Sequence, residues 1–306
     1  MNAIGFDTSN YTTSVAYFDG DMGVNCSSLL PVKEGQLGLR QSDAVFAHTK
    51  GLPELSGRLF SHIEVTSVGA VGVSTRPRAI EGSYMPCFMV GYSHAKLLSD
   101  MIRVPLVEVS HQQGHVAACL WSAGRLDLMD SPHLAWHLSG GTTELLLVEP
   151  EGKNVRCTRI GGTTNISAGQ LIDRTGQLLH LPFPAGKHLD TLSRESARGE
   201  FFRVKCNDLA FSFSGVENKV RQFAENNTPV DTASYALHSI AQAVLNVTKQ
   251  AVKQYPGLEV VFSGGVASNT ILRNTMQLWN PVFCQPQYST DNAMGVAVLA
   301  RRHLEG

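Results

Sequence analysis

The sequence has no CxxC pair, no low-complexity stretch, no excess of charge of either sign, and no apolar run near the roughly 20 residues needed to cross a bilayer. Each absence removes a class of protein. Cys26, Cys87, Cys119, Cys157, Cys206 and Cys284 stand singly, so a zinc ribbon, a dithiol redox motif and a disulfide framework are unsupported. Their mostly apolar neighbours suit buried, reduced thiols in the cytoplasm. The net charge of −1 argues against a broad basic surface for gripping nucleic acid and leaves a local basic patch open. The opening residues Met1 to Asp7 lack a basic segment followed by a long apolar one, so neither a signal peptide nor a membrane anchor is expected. A cytoplasmic protein without membrane partners is the expectation.

What is present is apolar material for two cores. At 306 residues, 43% hydrophobic and 17% charged, the chain has the length for two domains that need no disulfide or structural metal to fold. The first third predicts strands at Ala3–Asp7, Ser14–Asp19 and Gly23–Val32. A helix follows from about Ser42 to His62, interrupted or restarted near Gly51-Leu52-Pro53. Strand Val68–Ser74, helix Ser83–Ile102 and strand Leu106–Val109 complete this part. The same order returns in strands His133–Leu138, Glu144–Glu149 and Val155–Ile160 and a mostly helical stretch through Tyr255. Strand Leu258–Phe262, helix Val266–Leu278, strand Val282–Cys284 and helix Asp291–Leu304 close it.

Two copies of one order predict an α/β chain of two similar actin-like ATPase (RNase H-like) domains facing each other across a nucleotide cleft. The expected domains are residues 1–109, completed by the C-terminal helix 286–306, and residues 110–285. The hydroxyl-rich turns Asp7–Ser14 and Ser139–Glu144 lie between strands in both copies, where backbone N–H groups can clamp a phosphate. Two unrelated hairpins with polar turns remain the plainer alternative for either turn alone.

His111 and His115 are spaced i, i+4 on a predicted helix opened by a Ser110/Gln113 capping box, so both imidazoles can reach one metal. Gln112 stands where a HExxH peptidase has its glutamate, leaving no base for peptide hydrolysis there. Asp291 is either the N-cap of the last helix, as Thr290 also is, or a metal ligand. The Gly264-Gly265 turn permits close approach of a flat ring or sugar, and Asn269, read in the first helical turn, has an amide suited to a ribose or base. Asp173 and Asp190 are candidates for ribose hydroxyls or solvated helix-face charges. Asp208 to Val216 reads as a strand with Ser214 capping the next helix, its phenylalanines belonging to the core.

Together and in order, these motifs resemble the TsaD family, which makes the threonylcarbamoyl modification of an adenosine beside the tRNA anticodon. Gly5-Phe6-Asp7-Thr8-Ser9 is similar to its G-I-E-T-S, Ser110 to His115 to its N-H-x-x-G-H, and Leu138 to Thr142 to its V-S-G-G-H. Ala168 to Arg174 resembles A-G-E-A-F-D-K, and Phe211 to Gly215 and Thr290 to Ala293 repeat F-S-F-S-G and T-D-N-A. Gly264 to Asn269 is similar to G-G-V-A-A-N. The resemblance implies iron or zinc on His111, His115 and Asp291, and a nucleotide site lined by Leu138, Ser139, Gly140, Gly141, Thr142, Asp173, Gly186, Asp190 and Asn269. It implies ATP or an acyl-adenylate as bound nucleotide, with magnesium as a further ion. It also implies an acyl transfer to N6 of adenosine in tRNA, and a smaller paralogue and a P-loop ATPase as partners. The chain departs from the family at Tyr11-Thr12, where an acidic pair is expected, at Thr142 for histidine, at Asn165-Ile166 for a second acidic pair, and at Arg76-Pro77-Arg78 for Gly-Pro-Gly. These changes mark a diverged paralogue. Beside the tRNA transferase they leave two alternatives, a non-catalytic or regulatory nucleotide-binding protein and a carbamoyl transferase with a small-molecule acceptor.

Overall fold

The computed structural model describes residues 1–9, 11–31 and 39–305. In chain order its elements are β1 (Asn2–Asp7), β2 (Thr12–Phe18), β3 (Gly23–Leu29), α1 (Gln41–Phe60), β4 (Val68–Arg76), α2 (Phe88–Ile102), β5 (Leu106–Ser110) and α3 (His111–Ser122). They continue as β6 (His133–Leu138), β7 (Thr143–Glu151), β8 (Asn154–Thr163), α4 (Ala168–Leu178), α5 (Gly186–Ser193), β9 (Cys206–Asn207), β10 (Ala210–Phe211), α6 (Ser214–Ala224) and α7 (Pro229–Gln254). The last are β11 (Val260–Ser263), α8 (Thr270–Met276), β12 (Val282–Phe283) and α9 (Met294–His303). The expected end of the third strand at Val32 lies outside the described residues.

The chain divides into two units, one of Met1–Ser131, Glu149–Cys157 and Thr290–Gly306, the other of Pro132–Val148 and Thr158–Ser289. The sequence reading drew the boundary after residue 109; in this division α3 stays with the first sheet.

The first unit is built on a sheet ordered β3-β2-β1-β4-β5. The three leading strands run antiparallel, and β4 and β5 run parallel to β1. One face carries Ile4, Phe6, Val71 and Val73 against Leu52, Leu55 and Leu59 of α1 and Val90 and Ala95 of α2. Helix α1 runs unbroken through Pro53, contrary to the expected interruption. A mid-helix proline costs about 3 kcal/mol, but the stripe His48, Leu52, Leu55 and Leu59 buries that helix along its length, and such burial contributes more.

The other face is kept bare for α9. Gly5 and Gly72 are in register on β1 and β4. A Cβ on Gly5 would lie 2.5 Å from the Ala297 nitrogen, and one on Gly72 would lie 2.8 Å from the Val296 carbonyl. Helix α9 in turn crosses α3 backbone to backbone: a Cβ on Gly295 would fall 1.8 Å from the Gly114 carbonyl oxygen. No residue but glycine fits there, and the crossing joins the helix of His111 and His115 to the segment carrying Asp291.

The second unit repeats the plan. Its sheet is ordered β12-β11-β6-β7-β8-β10-β9, so β8-β7-β6-β11-β12 follows the same order as β3-β2-β1-β4-β5, with a two-strand extension. Strands β11 and β12 run parallel to β6 as β4 and β5 do to β1. The core gathers Trp136, Phe211, Phe213 and Phe262 against Ile240, Val244 and Val247 of α7. The Trp136 indole donates to Thr248 Oγ1 at 2.9 Å. Phe211 and Phe213 are buried, as expected of core residues.

Two element expectations here are corrected. Of the strand read from Asp208 to Val216 only Ala210–Phe211 is strand, as β10, and α6 begins at Ser214. Asp208 and Leu209 form the turn from β9, both with left-handed backbone (φ 46° and 64°), which reverses the chain as hairpin turns do. Phe213, not Ser214, stands at the N-cap of α6 and makes no side-chain cap bond. The helix read from Val266 to Leu278 is a 3-10 turn, Gly265–Ser268, followed by a restart at Thr270.

Candidate metal centre and nucleotide turns

Parallel strands deliver their carboxyl ends to one edge of a sheet, where α/β proteins place ligands. In the first unit that edge receives Asp7 from β1, Ser74 near the end of β4, and Ser110-His111 from β5. Ser110 caps α3 through the expected box: its hydroxyl accepts from Gln113 N at 3.2 Å and its N–H donates to Gln113 Oε1 at 2.8 Å. Gln113 Nε2 also donates to the Val155 carbonyl at 2.7 Å, fixing the first turn of the helix.

With that turn fixed, one turn of helix brings His115 Nε2 within 2.9 Å of His111 Nε2. Asp291 Oδ1 lies 3.5 Å from His111 Nε2 and 3.4 Å from His115 Nε2. Asp291 is not the helix cap. Helix α9 begins three residues later, and Asn292 Oδ1 accepts from Met294 N at 3.0 Å, leaving the aspartate side chain to the histidines. Phe88 covers the His111 ring edge-on at 6.3 Å between centroids.

Burial opposes charge on all of these groups, and their mutual attraction overcomes it selectively. Burial would lower His111, but the Asp7 and Asp291 carboxylates push it up to about 10. His115 is lowered by burial and by the charge on His111. Burial would raise Asp291, yet hydrogen bonds and charge from both histidines hold it far below the usual carboxylate range. Asp7 is likewise held low against its burial, by His111 and the Ser74 hydroxyl.

This donor set fits a metal. Two imidazole nitrogens and one carboxylate oxygen are ligands for zinc or iron, and atoms bound at about 2.0–2.2 Å to one ion can be no more than about 4.4 Å apart. The three measured separations, 2.9, 3.4 and 3.5 Å, lie within that limit. Among the described residues this is the one cluster of three such ligands.

In the second unit, β6 and β11 are parallel neighbours, and the turns that leave them are packed together. Ser139 N donates to the Thr142 carbonyl at 2.8 Å, and Thr142 N to Ser139 Oγ at 3.1 Å, closing the turn Leu138 to Thr142. Gly140 and Gly141 face open space, so a ligand can reach their backbone. Ser167, the N-cap of α4, donates to the Gly140 carbonyl at 2.6 Å and holds that helix against the turn. Gly264 (φ 89°) passes so close to Leu138 that a Cβ would meet its carbonyl oxygen at 2.2 Å. His137 is buried and bonds Ser263 Oγ at 3.2 Å, a core histidine.

The carboxylates assigned to this unit behave differently from each other. Asp173 accepts from Ala185 N at 2.9 Å, beside Gly186 at the start of α5, and burial raises its pKa despite that bond. Asp190 is saturated: Oδ1 accepts from Asn269 Nδ2 (2.7 Å) and Thr270 N (2.9 Å), Oδ2 from Thr270 Oγ1 (2.9 Å) and Arg194 (2.5 Å). Asn269 is the N-cap of α8, not a residue of a first helical turn, and its Oδ1 accepts from Leu272 N at 3.0 Å. Asp190 and Asn269 therefore brace each other.

Sequence reasoning missed Asp7, which meets His111 at Nδ1 behind the cluster, and it missed His48. His48 is fully buried, bonds Thr13 Oγ1 at 2.8 Å, and has its pKa lowered by burial against the pull of Asp7 and Asp291. A lone acid closing a buried strand before Thr8-Ser9 was the available signal for Asp7.

A doubled βββαβα plan, with glycine turns after β6 and β11 in its second copy, defines an α/β protein of the actin-like ATPase fold class. Solved structures agree on the fold. Full-length HypF in its phosphate- and nucleotide-bound form aligns with a TM-score of 0.66 at 13% identity, over all of this chain and 47% of that one. A ROK-family glucokinase from Streptomyces griseus in complex with glucose and AMPPNP aligns with a TM-score of 0.55 at 12% identity, over 99% of this chain and all of the other. The family follows from sequence: the model of the TsaD family, tRNA N6-adenosine threonylcarbamoyltransferase, matches residues 37–298, and the chain belongs to that family. A protein of that name from Carboxydothermus hydrogenoformans is 33% identical over 78% of this chain and 72% of its own length. Another, from Rhizobium etli, is 28% identical over 97% and 87%. Among the described residues no helix is long and apolar enough to cross a membrane.

Proposed function

We propose that this chain transfers a threonylcarbamoyl group from its adenylate to N6 of an adenosine in tRNA. The N6–C bond forms as the bond from the carbamoyl carbon to the phosphate oxygen breaks, N6 loses a proton, and AMP leaves. The supporting observation is the meeting of His111, His115 and Asp291 in a chain whose other family motifs follow in order. In this reading those three residues hold one divalent metal, iron or zinc, which when bound supplies a Lewis acid for charge developing on the leaving group. The Leu138–Thr142 turn offers backbone N–H groups to phosphate, and the oxygen of Asp173 not engaged by Ala185 accepts from a ribose hydroxyl. Asp190 acts through Asn269 and Thr270. The reading places the protein in the cytoplasm with tRNA, a smaller paralogue and a P-loop ATPase as partners and magnesium as a further ion.

A second reading, a regulatory nucleotide-binding paralogue, is favoured by one region. Tyr11-Thr12 replaces the family's acidic pair; Thr12 is buried and the Thr13 hydroxyl is taken up by His48. The test is single-turnover transfer from threonylcarbamoyl adenylate to cognate tRNA, with and without the pathway's partner proteins. Modified adenosine that disappears with His111→Ala supports the transferase. Nucleotide binding without any transfer, partners present, supports the regulatory reading.

A further inference from the structure

The motif containing Asp7 assigns that residue no task. Its carboxylate is fully buried at the end of β1, and among the described residues two hydroxyls and an imidazole nitrogen meet it. The Ser74 hydroxyl donates to Oδ1; Ser9 Oγ donates to Oδ2 at 2.9 Å, and His111 Nδ1 lies 3.0 Å from the same oxygen. With two hydroxyls already donating to this carboxylate, the geometry suits a third donor at Nδ1, which places the ring proton of His111 there. Its Nε2 is then the nitrogen left to ligate, and it is Nε2 that lies beside His115 Nε2 and Asp291 Oδ1. The opposite tautomer would put an N–H at that point and exclude a cation. Ser74 comes from the neighbouring strand and Ser9 from the loop after β1, so the carboxylate is itself clamped.

We infer that Asp7 is the positioning carboxylate of the metal centre, fixing the tautomer and ring orientation of His111, with Ser74 and Ser9 holding Asp7 in turn. The inference rests on the reading of His111, His115 and Asp291 as metal ligands. Outer carboxylates of this kind change metal affinity by about 10–100-fold when removed. A buried ion pair serving the fold alone would alter stability and leave affinity untouched.

The test is zinc titration of chelator-stripped protein, comparing wild type with Asp7→Asn, Asp7→Glu and His111→Ala, together with long-range proton–nitrogen NMR of the zinc-loaded imidazoles. Wild type is expected to bind about one zinc per chain and His111→Ala none. Asp7→Asn, folded by circular dichroism, is expected to bind about 10–100-fold more weakly, with Asp7→Glu recovering most of the loss because it restores a carboxylate. The His111 resonances in wild type are expected to show the proton on Nδ1 and zinc on Nε2. A folded Asp7→Asn with wild-type affinity overturns the inference and leaves the metal reading standing. Wild type that takes up no zinc or iron overturns both. If Asp7→Asn does not fold, the wild-type tautomer decides: zinc on Nδ1 of His111 rules the role out.

Discussion

The two units prepare for ligands in opposite ways. In the first, unlike charges converge: His111 lies between Asp7 and Asp291, and the donor atoms of the cluster point at one another across about 3 Å. In the second, the Asp190 carboxylate is already saturated by four donors, while Gly140 and Gly141 leave open space beside their backbone. The first arrangement suits a cation, since acceptors gathered this closely gain from a positive charge between them. The second suits an anion, since its carboxylate acceptors are already satisfied and its glycine turn can be approached closely. Repetition of one strand order thus yields two chemistries, decided by which residues stand at the carboxyl ends of the parallel strands.

The sharpest way to break this contrast is to remove the cation side. His115→Ala is expected to abolish metal uptake, read by elemental analysis, and to slow transfer by about 10³-fold if the metal contributes about 4 kcal/mol to the transition state. Next in size is the backbone crossing that assembles the centre. Gly295→Ala would force a carbon to 1.8 Å from the Gly114 carbonyl, so a loss of about 3 kcal/mol, seen in chemical denaturation, and weaker metal binding are expected together.

On the anion side the two aspartates should separate. Asp190→Ala strands Asn269 Nδ2 and Thr270 N and is expected to cost about 1–3 kcal/mol of stability. Asp173→Asn should weaken nucleotide binding, measured by calorimetry, with little change in melting temperature; equal effects on both readouts would erase the distinction. The metal-free protein supplies the pH test. His111 is raised to about 10 when folded, so its contribution to stability is fully present below about 6.5 and is lost as pH rises toward 10. Metal must displace that proton, so zinc affinity should rise over the same interval in which metal-free stability falls. Smallest of all, Gly140→Ala should leave stability within about 0.5 kcal/mol, since nothing lies near its Cβ position.

Local pattern carried most of what could be read in advance. The i, i+4 histidines, the Ser110/Gln113 box and the repeated strand order are short-range signals, and the structure contains them. What sequence could not show were partners distant along the chain. Asp7 meets Ser74 and His111 only because β1, β4 and β5 lie side by side, and no spacing rule connects those residues. Asn269 was misplaced because an apolar pattern runs from Val266 to Leu272 without showing the break; Asp190, on another helix, holds the amide at the restart. Asp208-Leu209 was read as strand because leucine rarely takes positive φ and so gives no turn signal.

Helix α9 also has a bearing on the order in which the protein can mature. The ribosome makes both histidines long before Asp291, and the strip of sheet over Gly5 and Gly72 stays uncovered until the last helix has emerged. A chain stalled anywhere before residue 291 therefore has His111 and His115 and lacks the carboxylate that meets them. A chain that has not yet made α9 leaves the strip over Gly5 and Gly72 as an open sheet face for quality control to recognise.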